Sequence, residues 1–137
     1  MSLTQTVTTP VIQEITDYRV IHTSYDVNMA AFIKTVNEYL KKGYILKGPL
    51  KTIGETLSQV VIKCALPSSE PVVETYEVIG VRDNNIITLE RTVMDALRNG
   101  WSLYGDHDYS KYSTDHSYIW QVLVKYKKTS GNPFDSF

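Results

Sequence analysis

The sequence predicts an α+β fold, a tandem βαββ duplication forming antiparallel sheet with two helices packed on it in one layer. Three observations carry that expectation. First, blocks recur in the same order along the chain, as in an internal repeat. "YRVI" (Tyr18–Ile21) returns as "YEVI" (Tyr76–Ile79), "VNEYLKKGYILKG" (Val36–Gly48) as "VMDALRNGWSLYG" (Val93–Gly105), and "QVVIK" (Gln59–Lys63) as "QVLVK" (Gln121–Lys125). Second, within each copy a short β-branched run gives way to helical spacing and then returns to strand-like runs. Third, each helical stretch runs into a glycine followed by a ring, Gly43–Tyr44 and Gly100–Trp101. These blocks divide the chain into an N-terminal arm (1–17), a first repeat (18–64), a linker (65–75), a second repeat (76–127) and a C-terminal tail (128–137).

Each element has its own justification. "YRVIHT" and "YEVIGV" are short and β-branched, as strands require. Met29, Phe32, Ile33, Val36 and Leu40 keep helical spacing in the first copy; Ile86, Leu89, Val93 and Leu97 keep it in the second. Asp26 or Asn28, and Asn84 or Asn85, are suitable N-caps because their side chains accept bonds from free helix N–H groups. Lys41, Lys42 and Arg98 sit where the helix dipole favours cations. Gly43 and Gly100 occupy the left-handed position that ends a helix. In the last strands Val60, Ile62 and Cys64 alternate onto one face, as do Val122, Val124 and Tyr126. The opposite face holds Leu57, Gln59 and Val61, and then Ile119, Gln121 and Leu123. A sheet with one solvated face alternates more cleanly than this. The second face is therefore expected to be covered, by the other repeat or by another chain, and the partner expected is the chain itself as a dimer or tetramer.

A chain of 137 residues is long enough for one domain. Its net charge is −1 and its 14 basic residues are split evenly about the midpoint, which argues against long nucleic acid as a partner. One cysteine, Cys64, excludes a disulfide framework and a cysteine-rich zinc site. No apolar run reaches membrane-spanning length, and "MSLTQTVTTP" has no secretion-signal pattern, so a cytoplasmic location and no membrane partner are expected. No cofactor is expected.

The chemistry-bearing residues concentrate in "GWSLYGDHDYSKYSTDHSYIWQ" (Gly100–Gln121), the counterpart of "GYILKGPLKTIGETLSQ" (Gly43–Gln59). His107, Asp108, Asp115 and His116 are acceptable metal ligands, yet their spacing fits no established signature. Ser110, Ser113 and Ser117 lack the strained elbow of an activated serine. The stretch is therefore expected to be neither a metal site nor an active site. Two readings stay open: a polar hairpin, or a binding loop. In the second, Tyr104, Tyr109, Tyr112 and Tyr118 supply rings for a base or sugar, with Trp101 a further ligand-binding candidate. Lys111, with Lys47 and Lys51 from the shorter connection, meets phosphate. Arg82 stands at a strand-to-helix turn, where a helix N-terminus already favours anions; its plainer role is a surface pair with Asp83. Phe134 and Phe137 in the tail are candidates for docking on a neighbouring subunit.

The pattern Tyr-x-Val, Val-Asn-x-x-Leu-x-x-Gly-aromatic, Gln-x-x-Val-Lys resembles a short bacterial and phage domain of unknown function. The first copy carries it at Tyr18, Val20, Val36, Asn37, Leu40, Gly43, Tyr44, Gln59 and Lys63. The second carries it at Tyr76, Val78, Val93, Leu97, Gly100, Trp101, Gln121 and Lys125, and departs from it at Met94, where asparagine is expected. The resemblance implies the fold and is nearly silent on activity. By a looser analogy of size and format, the chain is similar to non-catalytic phage proteins that sequester nucleotide immune signals, such as the cyclic nucleotides of CBASS defence. That analogy implies a sponge for a small anionic nucleotide. The alternative it leaves is a structural or protein-interaction oligomer of a phage or prophage.

Overall fold

The computed structural model describes residues 14–24, 29–53, 56–66, 70–111 and 117–128. The elements are β1 (Ile15–Ser24), α1 (Met29–Lys41), β2 (Ile45–Ile53), β3 (Thr56–Cys64), β4 (Val73–Arg82), a 3-10 turn (Asp83–Asn85), α2 (Ile86–Arg98), β5 (Ser102–Lys111) and β6 (Ser117–Tyr126). The chain is α+β, and both copies run βαββ. The strands form two antiparallel three-stranded sheets, ordered β1-β3-β2 and β4-β6-β5. In each copy the last strand is central and hydrogen-bonds to both others.

Register fixes which side chains share a face, because directly opposed residues of an antiparallel pair lie on the same side. In the first sheet Ile21 opposes Gln59, Arg19 opposes Val61, and Thr52 and Thr23 oppose Leu57. In the second, Tyr76 opposes Val124, Val78 opposes Val122, and Gly80 opposes Trp120. These two faces look at one another. The main core joins Ile21, Leu57 and Val61 of the first sheet to Tyr76, Val78, Trp120, Val122 and Val124 of the second, through Phe32, Val36 and Leu40 of α1. The sheets approach each other directly at β2 and β5, and α1 fills the wedge between β1 and β4. Leu89 and Leu123 are buried outside that core. They place α2 on the far face of the second sheet.

The helices thus lie in different layers, contrary to the single layer the sequence suggested. The cause is the half-apolar second face. In the β4-β6-β5 sheet both faces are apolar, and each receives a helix. One of the two covers foreseen, packing of one repeat against the other, is what the second sheet receives. The β1-β3-β2 sheet has α1 on one face only.

Two polar contacts seal the junction between copies. The Asn37 amide donates to the Tyr76 carbonyl at 3.1 Å, and its Oδ1 accepts from the Tyr76 N–H at 2.8 Å. Asn37 therefore does for the open edge of β4 what a neighbouring strand would do. The Tyr76 hydroxyl donates at 3.0 Å to Oε1 of Gln59, which is fully buried. Burial holds that hydroxyl protonated far above its ordinary value of 10. An unfolded chain releases the same proton near that value. Above pH 10 the unfolded state binds fewer protons, so stability falls as pH rises, by about 1.4 kcal/mol per pH unit for one such group. Below pH 10 its contribution is fully present. Urea titrations between neutral and strongly alkaline pH should show this slope, and Tyr76→Phe should flatten it.

The helix ends follow the sequence at one terminus and not at the other. Gly43 and Gly100 adopt φ of 95° and 91°, and the next residues, Tyr44 and Trp101, donate back to Tyr39 and Ala96 carbonyls at 3.1 Å. This is the glycine-based termination expected. At the start of α2, Asn85 occupies the N-cap but makes no side-chain cap bond. The chain enters through the 3-10 turn, which leaves Asn85 at φ −116°, ψ 35°, outside the extended backbone that a side-chain cap uses. Asn84 lies within that turn, and Asp26 and Asn28 lie outside the described residues. Among the described residues no helix is long and apolar enough to cross a membrane.

Candidate functional site

Both copies interrupt their second strand at the same place. Lys47 opposes Val60 and Lys51 opposes Ser58, so Gly48, Pro49 and Leu50 stand against Gln59 alone. Tyr104 opposes Val122 and Asp108 opposes Trp120, so Gly105, Asp106 and His107 stand against Gln121 alone. Extra residues must bulge out of the ladder, and the first of each three is a glycine at positive φ, 75° for Gly48 and 69° for Gly105. The glutamine opposite supplies the missing ladder bond. Gln59 Nε2 donates to the Gly48 carbonyl at 2.9 Å, and Gln121 Nε2 donates to the Gly105 carbonyl at 3.1 Å.

The two bulges meet because β2 and β5 are the edges where the sheets converge. Thr52 latches them: its N–H and Oγ1 both donate to Asp108 Oδ2 at 3.0 Å. The Tyr104 hydroxyl donates to the Gly48 carbonyl at 3.2 Å. Burial, with smaller effects from Tyr126 and Glu70, raises the Tyr104 hydroxyl above the ordinary tyrosine range. Between the bulges runs an open groove of about 540 Å³, walled by Gly48 to Leu50 on one side and Tyr104 to Asp108 on the other. The unlike connections therefore meet within one chain.

The candidate residues separate on this frame. Tyr104 lines the groove. Lys47 and Lys51 are exposed, and their partners Val60 and Ser58 put them on the outer face of the first sheet, flanking the groove without lining it. Tyr109 is half exposed on the face of Ile119, with its hydroxyl 3.0 Å from Ser117 Oγ. Arg82 is exposed at the end of β4, opposite Tyr118 and on the other side of β6 from the groove strand. Trp101 lies at the far end of β5, where Lys125 Nζ sits 4.9 Å from its ring centroid. Its counterpart Tyr44 carries Lys63 in the same way at 5.5 Å. The recurrent ring and lysine are thus a cation–π pair that ties the helix exit to the last strand. Tyr112, Asp115 and His116, the tail with Phe134 and Phe137, and the side chains of Ser110 and Lys111 lie outside the described residues.

Gly48, Pro49, Leu50, Asp106 and His107 escaped sequence reasoning as groove residues. The signal was present: "YILKG" and "SLYG" end on the glycines that open the two bulges, and each copy has a glutamine to close its own. Among the described residues no group of three or more His, Cys, Asp or Glu is arranged to hold a metal. A scan against protein-family models and searches of curated proteins and solved structures return no match to this chain.

Proposed function

We propose that the chain is a non-catalytic binding protein that seats a small ligand in the groove between its two bulges. The observation that carries this reading is the convergence of equivalent bulges from both copies into one open, partly apolar cleft. The Pro49 and Leu50 wall and the Tyr104 ring offer flat apolar contact for a base. Asp108 is committed to the fold, with Oδ2 holding Thr52 and Oδ1 accepting from the Tyr109 N–H at 2.8 Å. Exposed Asp106 remains to accept from a ribose hydroxyl or a base amino group. Phosphates are repelled by the two carboxylates and turn outward, toward Lys47 and Lys51. A cyclic dinucleotide or related nucleotide signal fits this division of labour. A phage-encoded sponge, which holds such a signal intact in the cytoplasm of a bacterial host, is the biological role it supports.

Calorimetric titration with a panel of cyclic mononucleotides and dinucleotides tests the proposal, followed by chromatography of ligand recovered after denaturation. Binding with intact recovery is expected. Tyr104→Ala should weaken it about ten- to hundredfold, the effect of one lost stacking surface. Lys51→Ala should weaken it less, and more so at low salt. Absence of heat with every nucleotide favours a second reading, a structural or interaction oligomer. That reading draws on the exposed apolar face of the first sheet.

A further inference from the structure

We propose that copies of this chain associate head to tail. The outer face of α2 in one copy seats on the open face of the β1-β3-β2 sheet in the next, repeating the packing that α1 makes on the β4-β6-β5 sheet within one chain. The inference rests on the duplication and is independent of any ligand.

Equivalent positions show the vacancy on the sheet side. Tyr76 and Val78, with Val122 and Val124, form the face that the first repeat covers, and they are 1%, 7%, 3% and 0% exposed. Their counterparts are Tyr18, Val20, Val60 and Ile62, which share one face by register. Tyr18 is 59% exposed, Val20 is 48% exposed and Val60 is partly exposed, while Ile62 is already buried at 5%, so the vacancy lies at the β1 side of the face. The helix side matches. Met29 and Asn37 of α1 are partly buried in the internal junction, whereas their counterparts in α2, Ile86 and Met94, are 49% and 46% exposed, with Ile87 at 64%. Each chain thus carries one unfilled socket and one unused plug of the same internal joint. Apolar surface of this kind marks an interface.

The departure at Met94 agrees with the proposal. Asn37 serves the internal joint by pairing with the bare N–H and carbonyl of Tyr76. At the equivalent point of β1, the Tyr18 N–H already donates to Asp17 Oδ1 at 3.0 Å. An apolar side chain therefore suits the second joint where an amide is required in the first. Charge is complementary as well: Glu90 stands between Ile86 and Met94 on α2, and Lys47 stands beside Val60 on the open sheet face. With fewer hydrogen bonds than the internal joint, the contact is reversible and concentration-dependent. Because plug and socket differ, it is heterologous and either closes into a ring or extends.

Light scattering on the full chain from low to high micromolar concentration should show mass rising above that of one copy. Met94→Glu blocks the plug and Val20→Glu blocks the socket; both positions are exposed in the single chain, and circular dichroism checks that each variant folds. Each variant alone should remain a single copy. An equimolar mixture should form a pair and nothing larger, since each contributes one intact surface. Ile87→Glu with Tyr18→Lys should repeat the result. A wild type of one-copy mass throughout, a mixture that stays unpaired, or assembly lost with Val20→Glu but kept with Met94→Glu would each overturn the proposal.

Discussion

Gly80→Ala is expected to destabilise the chain by about 3 kcal/mol, the upper end of the overpacking range. A Cβ built at Gly80 would lie 2.1 Å from Trp120 Cζ3 and 2.2 Å from Cε3. The indole has no easy retreat. It is 7% exposed and packed in the core, with the Tyr118 ring centroid 5.5 Å away at an interplanar angle of 27°. The first copy places His22 opposite Ser58 at the same station, so a side chain is tolerated there when its partner is small. Urea denaturation of Gly80→Ala in the wild type and in a Trp120→Leu background isolates the contact. The alanine should cost much less once the ring is gone. An equal cost in both backgrounds would mean that strand pairing, and not the indole, demands the glycine.

Asn37→Leu is expected to cost a similar amount, about 3 kcal/mol, because it strands both the N–H and the carbonyl of Tyr76 at a covered edge. Each buried polar group left without a partner costs about 1–3 kcal/mol. Asn37→Asp keeps the acceptor for the Tyr76 N–H and loses the donor, so its cost should fall between wild type and leucine. Met94→Asn, the reverse exchange at the equivalent site, touches no such edge within the chain and should leave the unfolding free energy within about 0.5 kcal/mol of wild type. Near equality of Asn37→Leu and Asn37→Asp would show that the carbonyl bond carries the whole effect.

The pattern that made the fold legible also disguised its function. Gly43, Tyr44, Gln59 and Lys63 recur as Gly100, Trp101, Gln121 and Lys125 because they end a helix, close a bulge and pair a cation with a ring. Those are local tasks, and local tasks leave their mark at fixed spacing. Pairing between copies leaves no such mark. Asn37 and Tyr76 stand 39 positions apart, and nothing in the spacing of either says that one edges the other. Alternation reported that both faces of the last strands are apolar. It did not say that one sheet would be covered twice and the other once. The groove was obscured for a related reason. Each bulge sets three residues against one, so counting still places Tyr104 and Asp108 on one face, but it says nothing of where Gly105, Asp106 and His107 go between them. Of the rings that drew attention in the long connection, Trp101 and Tyr109 face away from the cleft, and among the described ligand-binding candidates Tyr104 alone lines it.

The central claim is that the recurrent residues are architecture and that binding is confined to the cleft between the bulges. A backbone-amide NMR titration with a cyclic dinucleotide tests it at every residue in one experiment. Shifts should concentrate at Gly48–Thr52 and Tyr104–Tyr109, while the Trp101 indole and the Arg82 amide stay in place. Shifts centred on Trp101 and Lys125, or an unchanged spectrum at saturating nucleotide, would contradict it.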